Sequence, residues 1–198
     1  MNTKLYWILA VLMLLAVSTA QAQPKITPPP KPKDSGASLQ ATTDFSVKKL
    51  TDLGKVNFIV FVTNTTDQST GQHHQTRELT NVRFSSPCAL SYHYSTTLDD
   101  KAPLTPDVTI PFTAIESIVV EQAERYYSEI NAKIGHPEWV VSTTQPQTFV
   151  LRLIPIKKPD FDTDWITFYL QDANLTDRLA KAMTHLVELC GGGNRDPY

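Results

Sequence analysis

Two adjacent histidines, His73 and His74, come nearest to a metal-binding motif in this sequence. Neighbouring side chains point in opposite directions along an extended chain, whereas metal sites use spacings such as i, i+2 or i, i+4 with Cys, Asp or Glu partners. The surrounding stretch 64–75 is polar and contains Gly71, which predicts a solvated loop. The pair is therefore interpreted as part of that loop, and no metal ligand is assigned.

A second candidate for metal chemistry is the alternating set Asp160, Asp162 and Asp164. An EF-hand calcium loop that begins this way requires glycine at its sixth position, and Trp165 stands there instead. The aspartates are predicted to form an ordinary charged hairpin loop.

Catalytic signatures are absent from the sequence. It contains no Gly-x-Ser-x-Gly, no His-Glu-x-x-His, no phosphate-binding P-loop and no dinucleotide fingerprint. Cys88 has no neighbouring base that would mark it as a nucleophile. No catalytic or cofactor-binding residue is predicted, and no cofactor is expected.

The N-terminus carries the pattern of an export signal. Lys4 precedes an apolar run over residues 5–17, and Ala20-Gln21-Ala22 supplies the small-x-small cleavage pattern. The run is shorter than the roughly 20 residues that a membrane span needs, so a transmembrane anchor is the less favoured alternative. Residues 1–22 are predicted to be a signal peptide, which leaves a secreted or periplasmic chain that begins at Gln23 and has no transmembrane segment.

Composition places the remaining chain among globular domains. Of the 198 residues, 41% are hydrophobic, and 18 Lys+Arg against 20 Asp+Glu give a net charge of -2. This balance removes the electrostatic case for binding nucleic acid. Residues 23–37 are a proline-rich linker, residues 38–191 a single β-rich domain, and residues 192–198 a polar tail.

Short clusters of β-branched and aromatic residues predict about seven antiparallel strands. Residues 88–98 alternate clearly, with Leu90, Tyr92 and Tyr94 on one side and His93 on the other. Residues 117–122 are predicted to be a strand followed by a loop, although a helical stripe continues to Ile130.

Helices are predicted at both ends of the domain. Residues 38–53 place apolar side chains along one side before Gly54. An apolar stripe from Leu175 to Cys190 predicts an amphipathic C-terminal helix that packs on the sheet and is capped by Asp172 or Asn174.

Cys88 and Cys190 are predicted to form a disulfide bond. An exported chain matures where disulfides persist, and two cysteines are the minimum for one bridge. Cys88 opens a strand with an apolar side and Cys190 ends the helical stripe, so both thiols should point into one core. The alternative is a pair of buried free thiols.

The order of strands followed by one amphipathic helix resembles the pleckstrin-homology-like barrel, a bent sheet closed at one end by a C-terminal helix. The resemblance covers residues 38–190, rests on element order, and implies no catalytic residues. Phosphoinositide binding by basic loops is not implied, because residues 64–75 contain no Lys or Arg. The ending Leu179-Ala180-Lys181-Ala182, His185-Leu186, Cys190-Gly191 is similar to that of small exported bacterial proteins without assigned function.

These observations favour a non-catalytic binding or assembly module whose partner is another envelope or secreted protein. Its candidate binding face is Tyr92, His93 and Tyr94, for which core packing of the aromatic rings is the alternative. Two other functions stay open. One is a structural envelope protein tethered by the proline-rich segment, and the other is a metal-dependent or hydrolytic enzyme that uses His93 or the His73-His74 pair.

Overall fold

The structure is a computed structural model that describes residues 37–99, 101–144, 146–156 and 166–193. The predicted signal peptide, most of the proline-rich linker, the aspartates at 160–164 and residues 194–198 of the predicted tail lie outside the described residues. None of the helices in the described ranges combines the length and the apolar content that a bilayer span requires.

The described residues form an α+β fold that is mainly β, with eight strands and three α-helices. The helices are α1 (Leu39–Leu53), α2 (Ala123–Lys133) and α3 (Ala173–Leu189). The strands are β1 (Lys55–Asn64), β2 (Thr70–Ser86), β3 (Ala89–Leu98), β4 (Asp107–Pro111), β5 (Ile115–Gln122), β6 (Trp139–Thr143), β7 (Phe149–Pro155) and β8 (Thr167–Leu170). A 3₁₀ turn, Phe112–Ala114, joins β4 to β5.

The strands form two antiparallel sheets. The first has five strands in the order β4-β3-β2-β1-β6, and the second has three in the order β5-β7-β8. Tyr92 of the first sheet packs on Phe168 of the second, with ring centroids 5.5 Å apart, and Phe58 stacks on Tyr169 at the same distance. The two sheets therefore share a core through their facing side chains.

The terminal helices confirm the predictions made from the sequence. The side chain of Ser38 caps α1 by accepting a hydrogen bond from the Ala41 N–H, and Gly54 ends that helix with a positive φ of 54°. Asp172 caps α3, and the apolar stripe of α3 places Leu179, Met183 and Leu186 in the core with no exposed surface.

The prediction of a loop after Gln122 is wrong. Residues 123–133 form α2, which buries Ala123 and Tyr126 and packs Tyr127 and Ile130 against the same apolar cluster. The β-branched residues that favour a strand end before Ala123, and the helical spacing of apolar residues takes over from there.

The predicted loop at residues 64–75 is much shorter in the structure. The turn occupies residues 65–69, and β2 begins at Thr70, so that His73 pairs with Val60 and His74 with Ile59 of β1. The first residues of β2 are polar because this end of the strand lies at the rim of the sheet, where backbone pairing does not require apolar side chains.

The two sheets also comprise eight strands rather than about seven, and a closed barrel is not seen in the described residues.

Candidate functional site

A wide surface cavity lies between α1 and the far end of β2, and we call it the α1–β2 groove. Its volume of 760 Å³ falls within the range of roughly 300–1,000 Å³ that is typical of ligand sites. The groove is lined by Leu39, Gln40, Thr43, Asp44, Val47 and Lys48 of α1, by Arg83, Phe84 and Ser86 of β2, and by Pro87.

The groove exists because β2 is longer than its neighbour β1. The pairing of β1 with β2 ends at Lys55 and Glu78, and a last hydrogen bond joins the Leu79 N–H to the Gly54 oxygen. Gly54 joins β1 to the preceding helix α1, and a helix offers no strand edge to pair with β2. Among the described residues, no strand pairs with β2 from Thr80 to Ser86 on this side.

The opposite edge of this part of β2 is paired with β3. The register shifts between Thr80 and Arg83, where Asn81 adopts a positive φ of 55°. Such a bulge bends the strand and is common next to binding sites. Here it precedes the stretch of β2 that lines the groove.

The walls of the groove are apolar at their base and charged at their rim. Leu39, Val47 and Phe84 are half-buried, and the Phe84 ring stacks on Phe112 with centroids 5.9 Å apart. Lys48 and Arg83 are exposed at the rim. Apolar contact with a few placed polar groups is the usual composition of a binding site.

The charged residues of the lining are two cations, Lys48 and Arg83, and one carboxylate, Asp44, so the lining has a net positive charge on a chain whose net charge is negative. Asp44, the acidic residue of the lining, accepts a hydrogen bond from Gln40 at 2.7 Å, and Lys48 lies 3.3 Å from Asp52 on the exposed helix surface. Arg83 donates to the Asn81 oxygen, and it forms no ion pair with a carboxylate of the described residues. The rim therefore favours a negatively charged ligand.

Both walls of the groove are anchored to α3. His185 on α3 hydrogen-bonds the Ala37 oxygen at 3.0 Å, and the Arg178 guanidinium lies 5.3 Å from the centre of the Phe45 ring. The other wall is held by the predicted disulfide between Cys88 and Cys190, which the structure confirms with Cα atoms 5.6 Å apart. Cys88 directly follows Pro87 of the lining, so one helix fixes the spacing of both walls.

The predicted binding face of Tyr92, His93 and Tyr94 is divided between two sides of β3. The rings of Tyr92 and Tyr94 are 2% and 1% exposed and belong to the core, as the alternation of the strand requires. Burial raises the pKa of the Tyr92 hydroxyl well above its usual value. Of the three, His93 is at the surface, where its Nδ1 lies 3.1 Å from Asp107 Oδ1.

The two histidines singled out for metal chemistry have separate surroundings. His73 Nδ1 lies 3.1 Å from Asp99 Oδ2, while the His74 side chain contacts Gln72. The His73 side chain and the His74 backbone N–H, in that order, hold the pKa of Asp99 below its usual value. Within the described ranges, no three His, Cys, Asp or Glu residues come together as a metal site.

One buried arginine is not predicted from the sequence. Arg77 is 7% exposed, donates to Tyr94 and Tyr127 at 2.8 and 3.3 Å and to Thr96, and lies 4.8 Å from the centre of the Tyr169 ring. Arg77 is two positions from Leu79 in β2, so period-two alternation places both on the same face, and this spacing is the signal that could have found it. We interpret this cluster as a polar part of the core, since it encloses too little space for a ligand.

A second exposed apolar area lies on the outer face of the five-stranded sheet. Val140 is 53% exposed, and its cross-strand pairing places it on the same side as the half-buried Ile59 and Phe61. Val140 lies on β6, the edge strand of this sheet, and the area is the face of the sheet rather than a cleft between a helix and a strand. Exposed apolar residues of this number are common on protein surfaces.

Comparison of the chain with family models, with curated proteins and with solved structures finds no match. The proposed function therefore rests on the geometry of the described residues.

Proposed function

We propose that this chain is an exported, non-catalytic binding module that holds a peptide segment of another envelope or secreted protein in the α1–β2 groove. The observation that carries the proposal is the groove itself, with its apolar base, positive rim and walls anchored to one helix. A site whose walls are already positioned loses less free energy to ordering when a ligand binds.

A peptide suits the groove better than a small compact ligand does. The groove is a partly open cleft between a helix and a strand, whereas small molecules are usually enclosed on most of their surface. Recognition of peptides between a helix and a strand edge uses backbone groups as well as side-chain pockets.

Export is supported by the N-terminal signal pattern and by the disulfide, because structural disulfides persist in oxidising compartments. The mass of the intact exported protein is expected to correspond to a chain that starts at Gln23. A full-length mass in the membrane fraction would contradict cleavage and favour the anchor.

We further propose that the two sheets and α3 form a pleckstrin-homology-like arrangement. It is supported by two antiparallel sheets that share one core and by a C-terminal helix that packs against β5. An experimentally determined structure tests this arrangement through the path of the strands around the core.

Selection from a library of random peptides tests the binding function. The exported, disulfide-bonded chain is used as bait, and the enriched peptides are then tested on two variants with a tryptophan at adjacent exposed positions of α1. Gln40→Trp fills the groove, whereas Ala41→Trp places the same ring outside its lining. We expect enriched peptides that lose more than about tenfold in affinity for Gln40→Trp and keep their affinity for Ala41→Trp.

The proposal is overturned if the selection enriches no peptide, or if every enriched peptide binds both tryptophan variants as well as the unmodified chain.

A further inference from the structure

The edge of β2 that faces the groove has backbone groups available for pairing. Thr80 to Ser86 lie beyond the last hydrogen bond from the β1 side, and no backbone hydrogen bond joins them to α1 in the described residues. In a strand paired on one side, alternate residues direct their N–H and C=O groups to the other side. An unpaired edge of this kind readily accepts another strand.

The dimensions of the groove fit one added strand. Arg83, Phe84 and Ser86 line it within a stretch of four positions, which spans about 13 Å at 3.3 Å per residue. A strand placed there would continue the line of β1 past Gly54, between β2 and α1. Its side chains would alternate between the apolar base, formed by Val47 and Phe84, and the rim.

Lys48 and Arg83 at the rim determine which charge favours binding of that strand. Lys48 and Arg83 are both exposed and stand on opposite walls, so a carboxylate between them would meet a positive group from each side. A basic segment would face the same two groups with a like charge, which lowers its affinity.

The chain's own proline-rich linker is a poor occupant. It contains Pro24, Pro28, Pro29, Pro30 and Pro32, and proline has no N–H to donate to a strand edge. The charged side chains next to these prolines are the lysines at 25, 31 and 33, which have the same sign as the rim. We therefore expect the occupant of the groove to belong to another molecule.

We infer that the partner segment binds as an extended, acidic strand that pairs with the β2 edge at Arg83–Ser86 and places a carboxylate between Lys48 and Arg83. This inference rests on the proposed function, and it adds the conformation of the partner and its charge.

The charge is tested by repeating the peptide selection on Lys48→Glu/Arg83→Glu. We expect peptides selected on the unmodified chain to be rich in Asp and Glu, and those selected on the variant to be rich in Lys and Arg. The matched control is Lys133→Glu/Lys181→Glu, which changes the net charge equally at exposed positions outside the groove. It is expected to select acidic peptides again.

The conformation is tested by methylating the backbone nitrogens of a selected peptide one at a time. Pairing to one edge predicts that methylation at every second position weakens binding by more than about tenfold, while the positions between tolerate it. Amide hydrogen exchange of the complex provides a second measurement. Alternate N–H groups within residues 83–86 are expected to exchange more slowly than in the free chain.

The outcomes distinguish failure of the proposed function from failure of the inference. If no peptide is sensitive to Gln40→Trp, the proposed function fails. If sensitive peptides exist but show no acidic bias, or tolerate methylation at every position, the function stands and the inference is overturned. A peptide-free dimer that Gln40→Trp dissociates would also overturn the inference, because a second copy would then occupy the edge.

Discussion

The Leu79 N–H donates to the Gly54 oxygen at 3.1 Å, and this hydrogen bond marks the point at which β1 stops covering β2. Up to that bond β2 is an inner strand of the sheet, and beyond it one edge faces α1 across the groove. The candidate site thus arises from a difference in strand length, since β2 has 17 residues and β1 has ten.

Removal of the disulfide should lower stability substantially. Cys88 and Cys190 are separated by 102 positions in the sequence, so their bond restricts a large part of the unfolded chain. We expect Cys88→Ala/Cys190→Ala to lower the free energy of unfolding in urea by about 2–5 kcal/mol. Reduction of the unmodified protein serves as the control and should shift the transition similarly. An unchanged transition midpoint in both experiments would contradict this role.

Gly192 should not tolerate a side chain. A Cβ atom there would lie 2.3 Å from the Phe112 oxygen and 2.8 Å from the Ile115 oxygen. Because both neighbours are backbone atoms, Gly192→Ala is expected to destabilise the fold by about 1–3 kcal/mol or more. At Gly71 the nearest atom would be 3.4 Å away, so Gly71→Ala is the matched control and should leave the unfolding transition nearly unchanged. Equal stability of the two variants would show that Gly192 does not approach the Phe112 and Ile115 oxygens closely.

The ion pair between Arg152 and Glu121 should contribute more to stability than the exposed pair between Arg125 and Glu129 of α2. The Glu121 side chain is 1% exposed and lies 2.7 Å from Arg152, whose guanidinium also stands 5.1 Å from the centre of the Tyr126 ring. Arg152→Met removes the positive partner of a buried carboxylate and should cost about 3–5 kcal/mol. Arg125→Met breaks an exposed pair with Glu129 and should cost less than about 1 kcal/mol. Similar losses in thermal or urea unfolding of the two variants would contradict this assignment.

The pKa of Asp99 should depend on His73 and not on the side chain of His74. His73 donates to the Asp99 carboxylate through its ring, whereas His74 does so through its backbone N–H. A ¹³C titration of the carboxyl group is therefore expected to show a pKa below the usual value of about 3.9, which rises in His73→Ala and stays low in His74→Ala.

The direction of the pH effect follows from this lowered pKa. Asp99 contributes its stabilisation above the unfolded value of about 3.9 and loses it as the pH falls through the folded value. Identical titration curves for the two alanine variants would contradict the contact between His73 and Asp99.

Periodicity is sufficient to predict the terminal helices and most strands. The stripe in α3 and the alternation in β3 are strong because each element buries one face completely. The same burial makes the disulfide predictable, since both cysteines stand at the ends of apolar faces. The start of β2 escapes prediction because Gly71, Gln72 and the two histidines pair by backbone at the rim of the sheet, where burial leaves no pattern.

The candidate site is not predictable from periodicity. Lys48 and Arg83 are exposed residues on different elements, and their place in the lining of one groove depends on where β1 ends and how α1 packs. Tyr92 and Tyr94 are predicted for a binding face, but the alternation that predicts β3 also places them in the core. The proposed function therefore depends on how α1 packs beside β2, which the periodicity of each element does not specify.

Paramagnetic broadening by a peptide from the selection, labelled with a nitroxide at one end, tests the location of binding most directly. We expect the NMR signals of Leu39, Val47 and Phe84 to broaden, while those of Ile59, Phe61 and Val140 on the outer sheet face stay sharp. Broadening at the outer face, or at neither set of residues, would contradict the α1–β2 groove as the binding site.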